Sequence, residues 1–599
     1  MSDQTSFDVV IIGSGAGGAP IANILAKAGK SVLVLDKGPL LRPQYQDPTG
    51  LSGFKRDEMF STGPEKIIHV PGVVNDGDSY YGSHVEPDVN DEPHVYRDAN
   101  GQDRATIEGY TAQVVGGGTQ LYGGVSLRFT ATDMALASFN AGRTDLKQDP
   151  NGDVERESRD WPITYNDLEP YYCKAEQLVG INGTRANQLK PASVDYYQTP
   201  LDPNPISQFA AAGMDGLGMA RYRTPLAVIT QDHAPSGRKA GDSRTAFVNR
   251  YGDPLGYKSN TWVSLLTPVS TLPNFELRPN CVVTLLESDG GSKVTKVHYL
   301  SPGGTPTTVT GTIVVVACSA IETVRLLLLS GESDANFGGR VNQSGLLGTY
   351  FLTHCFGGGQ AVVPGRFDKS VSLDSDWATD HCASDDFLKA NGMWAGGAIY
   401  NNTSDEALPL ALGRTHGAQD LDTIWQGFIN DTSLIGENMM AFLDTNVGSR
   451  LSLAFMANQV PQRTNRIELH PTVTDKWGRK VAHIIKDWHS HDVYVMNTLA
   501  DQCDQILHKG IGPSGSDFSH GAIWQASNAP ARMANHIMGG ARFGKDPKDS
   551  VLDPSCKAWN FDNLYVTDGS FMPTSGGGNP TLTIEANSFR VADILLKQL

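Results

Sequence analysis

Residues 7–36 read FDVVIIGSGAGGAPIANILAKAGKSVLVLD, and this stretch decides the fold. FDVVII is a short apolar run rich in β-branched side chains that stops at a glycine turn, the pattern of a buried strand. After GSGAGG comes APIANILAKAGK, with apolar residues at helical spacing, and then a second apolar run, SVLVLD. Strand, turn, helix and strand in that order make a βαβ unit. Gly13, Gly15 and Gly18 stand in the turn as G-x-G-x-x-G. There Gly13 permits the tight turn, Gly15 lets the backbone approach a pyrophosphate, and Gly18 lets helix and strand pack closely. The free N–H groups and positive dipole end of the helix then face the phosphates.

Asp36 closes the second strand at the distance from which a carboxylate accepts hydrogen bonds from a ribose diol. A dinucleotide is therefore expected, although the turn alone does not separate NAD from FAD, which present the same ADP moiety. Near the other end of the chain lies NHIMGGARFG, then LYVTDGSFMPTSGGGNPTLTIEANSF. Here LYVTD reads as a strand, and Pro580 suits the first turn of a helix, where its missing N–H costs nothing. His536 and Asn579 lie in two loops that could converge on one face of a ring system. Oxidising an alcohol needs a base for the hydroxyl proton, a role for neutral histidine, and a group that orients the oxygen, a role for an amide.

At 599 residues the chain is longer than one hydrophobic core usually serves, so two or more domains are expected. Its 39% hydrophobic and 19% charged residues are globular values. A net charge of −17 argues against nucleic acid or an anionic membrane as partner, since both attract cationic surfaces. The longest apolar run, LLLLS after Arg325, is too short to span a bilayer, and a cytoplasmic protein is expected. Seven cysteines lie far apart without a C-x-x-C pair. They read as buried free thiols of a reducing compartment, and no metal is expected.

Over essentially its whole length the chain resembles the glucose-methanol-choline oxidoreductase family. GSGAGG, VVGGGT (114–119), VVVACSAIETVRLLLLSG, GLLGTYFLTH and VTDGSFMPTSGGGNPTLTI occur in that family's order. The resemblance implies FAD contacts at Gly13, Gly15, Gly18, Asp36, Gly117, Gly118, Thr119, Val282, Asp568, Asn579 and Thr581, with His536 as base and Asn579 as its partner. RDWPITYNDLEPYY and the His…Asn pair look most like the sugar-oxidising branch. Leu121 stands where pyranose oxidases attach FAD through histidine, so noncovalent FAD is expected. The stretch QDHAPSGRKAGDSRTAFVNR lacks the cysteines that hold an iron-sulfur centre in membrane-linked sugar dehydrogenases.

The fold implied is α/β: a Rossmann-like FAD-binding domain interleaved with an α+β substrate-binding domain on an antiparallel sheet. The FAD-binding domain takes residues 1–150 (with 40–110 as a surface excursion), 271–350 and 520–599. Residues 151–270 form a substrate or cap segment and 351–519 the substrate-binding domain. The partners expected are a sugar or alcohol substrate and oxygen or a soluble electron acceptor, with homo-oligomerisation open. Oxidation of a non-sugar alcohol, or a non-redox lyase of the same family, stays as an alternative. Gln459, His520 and Trp524 are candidate substrate contacts, and His354 reads as structural. Trp488, His489 and His491, in DWHSHD, read as a surface loop.

Overall fold

In the computed structural model, Ser6–Ile12 is a strand whose Val9, Val10 and Ile11 are fully buried, as a run apolar on both faces requires. The described residues are all except 1–3, 44, 48–65, 76–78, 81–84, 86, 107–108, 110–111, 242–254, 368–372, 374, 404–435, 439, 442–447, 527–529, 531 and 534. The helix Ala19–Lys27 follows the glycine turn and leads to the strand Val32–Leu35, which pairs parallel with the first. Further parallel neighbours are Phe275–Arg278, Pro306–Val316 and Leu564–Val566. Two antiparallel strands, Val294–Leu300 and Val282–Ser288, complete a seven-stranded sheet. The sheet thus draws its strands from the start, the middle and the end of the chain. The final helix, Thr581–Leu596, packs on Ala19–Lys27 and on the helix Tyr165–Val179.

A second, six-stranded sheet is antiparallel throughout, in the order Ser516–Ala522, His354–Val362, Arg450–Asn458, Gly397–Asn402, Trp377–Thr379, Arg221–Arg223. Side chains alternate between its faces. The odd-numbered residues of His354–Val362 face the helix Ser490–Ile511: a Cβ added to Gly359 would lie 3.0 Å from Leu507 and 3.3 Å from Cys503. His354 and the other even-numbered residues take the opposite face.

Among the described residues of 40–110, regular elements occur. His94–Arg97 and Asp103–Thr106 form a hairpin, and His94–Arg97 pairs parallel with Lys480–Ile485 in a four-stranded sheet. Buried Val70, Val89, Val95, Val473 and Val481 hold it in place, a long-range pairing that local periodicity does not reveal. Within the 151–270 segment, Ser207–Gly216 is a helix. Gly213 lets it cross Ser490–Ile511 closely, since a Cβ there would lie 2.1 Å from the Ile506 carbonyl oxygen.

Trp161, in the RDWP segment, is 3% exposed and meets Phe129, Phe543 and Phe571 edge-on. Its indole N–H donates to Thr574 Oγ1 at 2.7 Å, fastening the loop that leads to Asn579. Trp161→Ala should therefore cost about 3–5 kcal/mol in urea unfolding, the usual loss for truncating a buried aromatic residue. A loss below about 1 kcal/mol would mean that the loop is held by other contacts.

Candidate active site

Two short strands bring the key histidines together. Phe351–Leu352 pairs antiparallel with Met538–Gly539, Phe351 opposite Gly539 and Leu352 opposite Met538. Continued by two residues, this register sets His354 opposite His536. Their Nδ1 atoms lie 3.0 Å apart, and the rings meet edge-on with centroids at 5.1 Å. His354 is fully buried, and its Nε2 lies 2.8 Å from the Ser575 carbonyl oxygen and 3.0 Å from that of Gly576. Burial pulls its imidazole down to about 4, so it is neutral at physiological pH. His536 is partly exposed.

The loop 575–578 that leads to Asn579 is tied to the antiparallel sheet. The Gly576 N–H donates to Asn458 Oδ1 at 2.5 Å, the Gln459 N–H to Ser575 Oγ at 2.9 Å, and the Ala398 N–H to the Gly577 carbonyl at 2.9 Å. Asn579 precedes the final helix, and its buried Oδ1 has no hydrogen-bond partner among the described residues. An imidazole and an amide oxygen are thus held on rigid supports, the amide unsatisfied.

The glycine turn forms a second region. Gly13 has φ +102°, and a Cβ there would lie 2.2 Å from the Ala317 carbonyl oxygen. The loop around Gly116 and Gly117 abuts the turn: a Cβ on Gly117 would lie 3.4 Å from Gly15 Cα. Ser14 fastens the two together. Its Oγ accepts from the Gly116 N–H at 2.8 Å and donates to Asp36 Oδ2, which also accepts the Ser14 N–H at 3.0 Å. Asp36 Oδ1 accepts the Gly38 N–H at 2.9 Å, and burial pushes this carboxyl up to about 6. Thr119 donates to the Gly116 carbonyl at 2.6 Å. Exposed Gly118 lies within the same short helical turn, Gly117–Gln120. The Cys281 N–H donates to the Asp36 carbonyl at 2.8 Å, which sets Val282 beside the end of that strand.

The chain is 27% identical over 605 residues to 6'''-hydroxyparomomycin C oxidase of Streptomyces lividus, covering 99% of this chain and 92% of that one. It is 25% identical over 612 residues to 2-methyl-1,2-propanediol dehydrogenase of Mycolicibacterium austroafricanum, covering 100% and 96%. Residues 461–588 match the family model described as GMC oxidoreductase. Over that stretch the chain is similar to the GMC oxidoreductases. Among solved structures, the chain is similar to formate oxidase of Aspergillus oryzae RIB40, with a TM-score of 0.62 at 13% identity over 100% of this chain and 99% of that one.

The likeness to GMC oxidoreductases implies FAD as the group to be held. The residues present fit it: a glycine cradle with no room for side chains at Gly13 and Gly18, and buried polar atoms left without partners. One of these is Glu585 Oε1, which sequence reasoning missed. Glu585 lies one turn before Ser588, whose hydroxyl donates to the Gly17 carbonyl at 3.0 Å, so both face the glycine turn. Glu585 is 2% exposed and burial pushes its carboxyl up to about 8. At pH 7 it is a neutral acid, able to donate a hydrogen bond. Asp568 sits beside Gly17, but its carboxylate is taken by Ser570 and Thr323, which leaves backbone to offer a ligand. Thr581 opens the final helix.

Other expectations are corrected. Gln459 is fully buried and its Oε1 accepts from the Thr353 N–H at 2.8 Å, so it braces the strand rather than facing substrate. His520 pairs with Gly359 across the sheet and so points to the helix side, where it meets Asp501 at 3.3 Å and Asp504 at 3.4 Å. Trp524 donates to Asn497 Oδ1 on that same helix at 3.0 Å. Both lie on the face away from His354. DWHSHD is not a plain surface loop: His489 caps the helix Ser490–Ile511, and His491 is fully buried. His489, Asp149 and Asp153 bring possible ligand atoms within 4.8 Å of one another. Asp149 Oδ1 and His489 Nδ1 there already accept backbone N–H groups.

Proposed function

We propose that this protein oxidises a hydroxyl of a sugar, glycoside or related alcohol to a carbonyl, with noncovalently bound FAD, His536 as base and Asn579 as its partner. The observation that carries the reading is the neutral, fully buried His354 braced against His536 beside a loop that ends in an amide with a free oxygen. The chemistry FAD supplies when bound is acceptance of a hydride from the alcohol carbon. His536 takes the hydroxyl proton as that carbon becomes a carbonyl. Asn579 orients the alcohol oxygen through its amide. The free N–H groups at the start of the final helix favour negative charge placed before them.

Gly13, Gly15, Gly18, Gly117, Gly118 and Thr119 would hold the pyrophosphate, Asp36 and Val282 the adenosine end, and Asp568 and Thr581 the remainder. We assign the seven-stranded sheet to the FAD-binding domain and the six-stranded antiparallel sheet to the substrate-binding domain. Leu121, which cannot form the link a histidine makes, supports noncovalent attachment. Seven free cysteines support a reducing, cytoplasmic setting; among the described residues no helix is long and apolar enough to cross a membrane.

The aminoglycoside-oxidising relative supports a sugar-like substrate and oxygen as acceptor, whereas the diol dehydrogenase supports a small alcohol and another acceptor. One experiment separates them: anaerobic mixing of the yellow protein with glucose, simple glycosides, polyols and aryl alcohols while flavin absorbance is followed. Bleaching by a sugar or glycoside supports the first reading and bleaching by diols alone the second. Admitting air then tells oxidase from dehydrogenase. No bleaching by any alcohol overturns both and favours a lyase that leaves its flavin oxidised.

A further inference from the structure

We infer that His354 is a positioning residue that fixes the proton of His536 on Nδ1 and so leaves its Nε2 as the basic atom; the inference rests on His536 being the base. The Ser575 and Gly576 carbonyls can only accept, so His354 Nε2, 2.8 Å and 3.0 Å from them, must carry a proton. A neutral imidazole has one N–H, and His354 is held neutral by its burial. Its Nδ1 is therefore a lone pair. His536 Nδ1, 3.0 Å away, must then be the donor.

This sets which nitrogen of His536 can take a proton. With Nδ1 protonated, the lone pair lies on Nε2; when that atom takes the hydroxyl proton of an alcohol, His536 becomes an imidazolium with a proton on each nitrogen. Throughout, Nδ1–H goes on donating to His354. The proton cannot pass further, because His354 Nε2–H ends on two carbonyls, so His354 orients without relaying. In hydrolases built on a Ser–His–Asp triad a carboxylate does this orienting. Here a neutral imidazole does it, which steers the tautomer with less gain in basicity than an anion would bring.

The covalent frame explains why the pair is held so firmly. His354 opens the strand His354–Val362 and pairs with Asn458, whose side chain holds Gly576, the carbonyl partner of His354. His354, Asn458 and the loop before Asn579 thus form one closed hydrogen-bonded unit, to which His354 Nδ1 joins His536.

Asparagine and leucine are close in shape, and asparagine alone can place an acceptor oxygen where His354 Nδ1 lies. Both lose the Nε2–H bond to the loop, so a merely structural role would make His354→Asn and His354→Leu fall alike. The measurements are anaerobic flavin reduction at saturating substrate and ¹⁵N spectra of protein labelled at histidine, with His536 assigned by the signal missing in His536→Asn. Expected are reduction within about threefold of the parent in H354N, at least a tenfold loss in H354L, and a His536 proton on Nδ1 in the parent and in H354N. Equal losses in both variants, parent rates in both, or a His536 proton on Nε2 in the parent would overturn the inference. A failure of the base assignment looks different: His536→Ala would then keep its reduction rate, while the ¹⁵N spectrum would still report the hydrogen bond.

Discussion

His536→Ala should keep its yellow cofactor and lose flavin reduction by about 100-fold or more, the scale of a missing general base. The imidazole lies at the loop end of the Met538–Gly539 strand, outside the glycine cradle of Gly13, Gly15 and Gly117. Its removal therefore leaves the features that would hold the dinucleotide intact. It is also partly exposed, so truncation leaves no large sealed cavity. Cofactor content is read from the absorbance after gel filtration, and reduction from anaerobic mixing at saturating substrate. Reduction at the parent rate would remove His536 from the chemistry. Loss of the yellow colour would make it a structural residue instead.

The second large effect concerns Glu585, whose carboxyl is pushed up to about 8 by burial. In the unfolded chain a glutamate titrates near about 4.3. The native state thus holds the proton to higher pH than the unfolded state does. Stability associated with this group is present below the unfolded value and is lost as pH rises towards the folded one, by about 1.4 kcal/mol per pH unit. Glutamine has the same shape and no proton to lose. The stability of the Glu585→Gln apoprotein over the parent should therefore widen by about 3 kcal/mol between pH 5 and pH 7. Urea unfolding of both apoproteins across that range measures it. Asp36 and Asp492, pushed up to about 6 and about 7, act in the same direction but equally in both proteins, so they cancel in the difference. A gap independent of pH would mean that Glu585 is ionised in the folded apoprotein.

The two ends of the chain were the legible part, for a physical reason. The βαβ unit is local: its strand, turn and helix follow from spacing within thirty residues, and the structure forms them where the pattern puts them. The strand in LYVTD and the helix start after Asn579–Pro580 were equally visible. His354 was not, because a lone histidine after an apolar run carries no sign of a partner that only strand pairing supplies. Gln459, His520 and Trp524 were misjudged for a related cause. Which face of a strand a residue takes depends on register, and register is set by neighbours distant in sequence. Glu585 did leave a signal: an acidic residue set among Leu582, Ile584, Ala586 and Phe589.

The ladder between Phe351–Leu352 and Met538–Gly539 also limits which lengths of chain evolution or engineering can change. Only Thr353 separates Leu352 from His354, and only Ile537 separates His536 from Met538. Since strand side chains alternate, inserting or deleting one residue in either gap would turn the imidazole to the wrong side and present a threonine, cysteine, asparagine or isoleucine in its place. Connections elsewhere can lengthen at small entropic cost. In these two gaps the residue count itself is part of the site.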